Sequence, residues 1–134
     1  SALFPKVALV DPELTYSMPE GITRETGFDA LTHAIETYVS PKYTPLTDLW
    51  AEEAMKIIYE YLPRAIENGM DKEAREKMAF ASLLGGLNIA NNGTCLPHRL
   101  QQAMGGIIDI SHGRGMAILY PAWLERVHVY REGK

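Results

Sequence analysis

Asp29 and His33 stand four residues apart in the run Gly27-Phe28-Asp29-Ala30-Leu31-Thr32-His33-Ala34-Ile35-Glu36. The run reads as helix, and at that spacing both side chains project from one face about one turn apart. A carboxylate and an imidazole so placed can grip one divalent cation. His98 and His112 begin two further predicted helices. Together the four residues offer one carboxylate and three imidazoles from three helices. That set suits borderline metals, Fe(II) or Zn(II), and lacks the thiolates of most structural zinc sites. Four protein ligands leave room for a substrate oxygen if the metal accepts five or six partners.

A plainer account of each residue stands beside this one. A histidine is more often a satisfied polar residue than a ligand, and an Asp–His pair four apart is common by chance. Spacing alone does not make three helices converge. His128 lies in a charged tail and is assigned to the surface. Cys95 reads as a small, buried or half-buried thiol rather than a nucleophile, because no base is adjacent to activate it. Neither Gly85-Gly86 nor Gly105-Gly106 follows a strand, so neither reads as a phosphate-cradling loop. The first pair reads as helix packing, the second as a helix end. Tyr16, Tyr43 and Trp50 read as core or interface aromatics, and Asn91 and Asn92 as turn residues.

The elements that must position these groups are mostly helical. Val7 to Val10 is the only convincing strand, broken by Asp11-Pro12. Residues 11 to 18 form a connector. A helix runs from Pro19 to Ser40, weakened or divided at Gly27. A second covers about Leu46 to Leu62, with Leu46, Leu49, Trp50, Met55, Ile58 and Leu62 toward the core, Pro63 interrupting the hydrogen-bond ladder and Arg64 to Glu67 as a further turn. Asp71 caps a third helix, whose segment from Met78 to Ile89 is apolar, small and buried. Asn91-Asn92-Gly93 ends it. A fourth helix covers about Pro97 to Met104. A fifth begins near Ser111, runs to Tyr120 and bends at Pro121, and Ala122 to Tyr130 finishes the chain. The expected fold is mainly α, a helical bundle with one short N-terminal strand.

The 134 residues are 46% hydrophobic and 22% charged, the balance of a globular domain with one real core. A net charge of -4 disfavours nucleic acid as the main partner. No apolar run approaches the roughly 18 to 20 residues that cross a bilayer. A single cysteine and no secretion leader point to a cytoplasmic setting. A lone strand with no partner suggests a piece of a larger protein.

Two runs resemble a known family. Asp11-Pro12-Glu13-Leu14-Thr15, Met18-Pro19 and Thr26 to Glu36 look like the first signature of the iron-containing (group III) alcohol dehydrogenases. Pro97-His98-Arg99-Leu100-Gln101-Gln102-Ala103-Met104-Gly105 and Ser111-His112-Gly113-Arg114-Gly115 look like the second. The 14-residue gap from His98 to His112 matches the family's last two ligands. Tyr120-Pro121-Ala122-Trp123 looks most like the butanol-dehydrogenase-like branch. The resemblance implies that Asp29, His33, His98 and His112 hold the metal: Fe(II) first, Zn(II) or another divalent ion as the alternative. Two positions depart from the family's pattern: Gln102, where many relatives carry histidine, and Arg24, usually small or aliphatic.

The resemblance further implies an NAD(P)-dependent oxidation of primary alcohols or reduction of aldehydes. It gives residues 1–18 to the strand and connector of an absent cofactor domain, and residues 19–134 to part of the metal-binding helical domain. No residue here is assigned as catalytic, none to the nicotinamide cofactor, and the isolated chain is expected to be inactive. A homo-oligomer is expected. The alternatives are a non-catalytic helical metal-binding or self-associating module, and a zinc polyol dehydrogenase relative.

Overall fold

The computed structural model describes residues 5–127. Five helices follow one 3-10 turn, Pro12–Thr15, which Asp11 caps by accepting the Glu13 N–H at 3.0 Å. They are α1 (Glu20–Tyr38), α2 (Pro45–Glu67), α3 (Lys72–Asn92), α4 (Leu96–Ile108) and α5 (His112–Leu124). Among the described residues, none of the helices is long and apolar enough to cross a membrane.

The first three helices form a bundle around small residues. Ala30 and Ala34 of α1, Ala54, Ile57 and Ile58 of α2, and Ala81 and Leu84 of α3 make its buried centre. Alanines at the crossings let the helix backbones approach closely, and Ile57, Ile58 and Leu84 fill the space between them. α1 also packs against α5, and α5 against α4. So α1 lies in the middle, with the bundle on one side and α5 on another.

Local chemistry sets the helix starts. Thr44 and Thr47 form a reciprocal capping box at the head of α2, with Pro45 in the first turn. Asp71 caps α3, accepting the Ala74 N–H at 3.0 Å, as the sequence predicts. Gly93, at φ 70°, ends α3 in the left-handed region. Arg75 is buried and donates to three neutral oxygens: the Gly69 carbonyl, the Thr23 hydroxyl and the Met18 carbonyl, at 2.8, 2.9 and 3.2 Å. It ties α3 to α1 and to the connector before α1.

Several expectations are corrected. Val7 to Val10 is not a strand: no segment among the described residues pairs with it, and Leu9 is 91% exposed. A strand needs a neighbour for its backbone groups, and none is present. Gly27 does not divide α1. A Cβ there would collide with Leu62, so the glycine is a crossing point of α1 and α2. α2 runs through Pro63, which lies on its exposed side, where water can serve the carbonyl that loses its donor. Leu46 and Leu49 are exposed, unlike Ile58. Phe80, Leu83 and Leu87 put an apolar stripe of α3 outward. α4 continues through Gly105-Gly106 to Ile108, and Asp109 ends it at φ 49°. α5 continues through Pro121 to Leu124. His128 lies outside the described residues.

Candidate metal centre

The site is built on α1. Asp29, His33 and Glu36 fall at i, i+4 and i+7 and share one face. His98 comes from the first turn of α4, and His112 is the first residue of α5. Four features hold α5 against α1. The Tyr120 hydroxyl donates to the Thr32 carbonyl at 3.1 Å, and Tyr120 meets Phe28 edge-on at 5.8 Å. Arg114 pairs with Glu25 at 2.8 Å. Gly113 lies where a Cβ would come within 2.6 Å of the Glu25 carbonyl oxygen, so only glycine permits this approach of the two backbones.

Asp29, His33 and His98 bring donor atoms within 4.8 Å of one another, and His112 joins them through its approach to Asp29. Asp29 Oδ1 lies 3.6 Å from His33 Nε2, 3.4 Å from His98 Nε2 and 3.1 Å from His112 Nε2. Bonds of about 2.0–2.1 Å to a tetrahedral metal place neighbouring ligand atoms about 3.4 Å apart. The rings of His33 and His98 stack at 4.5 Å, and those of His98 and His112 tilt at 5.3 Å. Asp29 Oδ1 and His98 Nε2 are both buried without a hydrogen-bond partner. Two such desolvated polar atoms facing one another across 3.4 Å are groups that a cation between them would satisfy. The donor set therefore fits a divalent metal. The pocket is closed at His98, whose side chain is 4% exposed, and open at His112, at 40%.

Electrostatics follows from the crowding. Burial works against the charge of Asp29, but the three imidazoles outweigh it and hold the carboxyl below its usual range. Burial also pulls the His33 imidazole below its ordinary value. At His98 burial acts in the same direction, yet the carboxylates of Asp29 and Glu36 prevail and raise it to about 9.

Two residues that sequence reasoning left without a role complete the surroundings. Glu36 is fully buried; its Oε1 lies 2.7 Å from His98 Nδ1, and its Oε2 accepts the Cys95 N–H at 2.5 Å. Gln101 presents Oε1 to His112 Nδ1. The i+7 spacing was a visible signal for Glu36. Nothing in the sequence pointed to Gln101, whose partner lies on another helix. Cys95 is half-buried, with its thiol on the Glu36 carbonyl at 3.4 Å. Gln102 is exposed, as is Arg24, which pairs with Glu20 along α1.

Residues 23–132 match the model of the Fe-containing alcohol dehydrogenase family, C-terminal. The chain belongs to that family. An NAD-dependent methanol dehydrogenase of Bacillus methanolicus is 50% identical over 109 residues, which cover 81% of this chain and 29% of that enzyme. An NADPH-dependent butanol dehydrogenase of Clostridium saccharobutylicum is 43% identical over 117 residues, covering 87% and 30%. Among solved structures, an iron-containing alcohol dehydrogenase of Thermotoga maritima superposes with a TM-score of 0.85 at 46% identity, covering 92% of this chain and 34% of that one. Sulfoacetaldehyde reductase of Bifidobacterium kashiwanohense, in complex with NAD+, gives 0.86 at 39% identity, covering 91% and 32%. This member of the iron-type family thus spans between 27% and 34% of the relatives compared.

Proposed function

We propose that Asp29, His33, His98 and His112 hold one divalent cation, Fe(II) before Zn(II), in the metal-binding part of an alcohol dehydrogenase. The observation that carries this reading is the pair of buried, unpartnered atoms, Asp29 Oδ1 and His98 Nε2, with two more imidazole nitrogens beside them. When bound, the cation supplies Lewis acidity toward an alcohol or aldehyde oxygen, and a nicotinamide cofactor supplies the hydride chemistry. The chain's own residues present four donors from three helices, keep water from the His98 side and leave the His112 side open to a small molecule. The substrate class is a small primary alcohol or its aldehyde. The nicotinamide cofactor belongs to the part of the relatives' length that this chain does not span.

Elemental analysis of the purified chain beside Asp29→Ala and His112→Ala tests the ligand set. Near-stoichiometric metal in the parent chain and loss in both variants is the expected result; equal metal in all three overturns it. The chain alone should not turn over butanol with NAD+ or NADP+, and steady turnover would refute the placement of the cofactor site elsewhere.

A further inference from the structure

We propose that Glu36 and Gln101 are positioning residues for the metal centre: each holds the Nδ1 side of one imidazole so that its Nε2 faces the cation. Glu36 in addition supplies the second negative charge that a buried divalent ion requires. This rests on the reading of Asp29, His33, His98 and His112 as ligands.

The contacts set which nitrogen of each ring faces the cation. Glu36 Oε1 lies 2.7 Å from His98 Nδ1, a hydrogen bond that turns that nitrogen to the Glu36 side. That leaves His98 Nε2 as the atom turned toward Asp29 Oδ1. At His112 the amide oxygen of Gln101 takes the same role, and His112 Nε2 is again the atom beside Asp29. A ligand imidazole whose other nitrogen is held in this way has its tautomer and ring plane set before the metal arrives.

Burial and charge give Glu36 its second part. It is fully buried, and His98 is its one ion-pair partner among the described residues. A buried carboxylate without arginine or lysine is costly unless something else compensates it. A divalent cation one imidazole away adds to the compensation that His98 gives: Asp29 and Glu36 together carry the two negative charges that neutralise it. Helix register explains the economy of the arrangement, since α1 brings both carboxylates and one imidazole on a single face.

The two residues also span different joints. Glu36 joins α1 to the head of α4, through both His98 and the Cys95 N–H. Gln101 joins α4 to the head of α5. The orientation of each imported imidazole is thus fixed by the helix on which it docks.

The test is Zn(II) affinity of the full chain by chelator competition, together with histidine nitrogen spectra of the Zn(II)-loaded protein. Glu36→Gln keeps an oxygen for His98 but removes the charge, and Gln101→Leu removes the acceptor from His112. Each should weaken Zn(II) about 10- to 100-fold. Gln101→Glu retains an acceptor and should restore tight binding. In the spectra, His98 and His112 should carry their proton on Nδ1, and Gln101→Leu should alter the His112 pattern. Wild-type affinity and unaltered spectra in Glu36→Gln and Gln101→Leu, with Zn(II) lost in Asp29→Ala, would overturn the positioning roles alone. Wild-type affinity in Asp29→Ala as well would overturn the metal centre and this inference with it.

Discussion

A single hydroxyl shows how closely the site depends on residues that never touch it. Tyr120 is buried, and burial raises its phenol above the usual range, so it remains a donor to the Thr32 carbonyl. Tyr120→Phe removes that bond while keeping the ring against Phe28. Urea unfolding should show a loss of about 0.5–1.5 kcal/mol, the net worth of one such bond. No loss would mean that ring packing alone seats α5. The sequence marked Tyr120 only by its place beside Pro121, because the partner, a backbone carbonyl 88 positions earlier, has no signature. The four donors are a different case. Their residue types and helical placement were legible, and their convergence was not, since it depends on how α4 and α5 turn on α1.

At the level of the helix, glycine is the informative residue, and its meaning differs by position. Gly113 permits the contact with Glu25 that sets the start of α5 and so the place of His112. Gly86 meets nothing within 4 Å although it lies inside α3. Gly113→Ala must push α5 away from α1, at about 1–3 kcal/mol in unfolding free energy, and should weaken Zn(II) binding. Gly86→Ala should instead leave stability unchanged or raise it by about 0.4–1 kcal/mol. Equal effects in the two variants would contradict the packing described. The sequence treated Gly85-Gly86 as one packing feature. The structure divides it: Gly85 is buried against His33, and Gly86 faces out. A local signal found the helix start at Asp71, where a polar cap announced it, while the cap at Thr44 went unread and the second helix was begun at Leu46. Local signals misjudged Gly27, Pro63 and Gly105, where tertiary contact or solvent on one side overrode an intrinsic breaker.

For the whole molecule, the five-helix order was readable because residues such as Pro19, Asp71 and Gly93 mark where its helical runs begin and end. The faces turned outward were not. Val7, Leu9, Leu46 and Leu49 are apolar and exposed, and Phe80, Leu83 and Leu87 follow them along α3. Composition gives the same value whether such residues point inward or out. The family's members compared are about three times as long as this chain.

α4 has the shallowest attachment of the five helices. By helix-to-helix packing it rests on α5 alone, and its links to α1 are the bonding of Cys95 and His98 to Glu36 and the contacts of His98 with Asp29 and His33. It is therefore the segment most ready to open on its own, ahead of the α1–α2–α3 core. Such an opening carries His98 away and breaks the donor set, so an ion that binds only the closed form resists it by its own binding free energy. At a hundred times its dissociation constant, Zn(II) should add about 2.7 kcal/mol to the cost of opening and slow amide exchange across α4 about a hundredfold. Amides around Ile57 and Ile58 should change far less. A uniform response along the chain would mean that α4 opens only with the rest. Otherwise the metal is also the fastener of the domain's loosest helix.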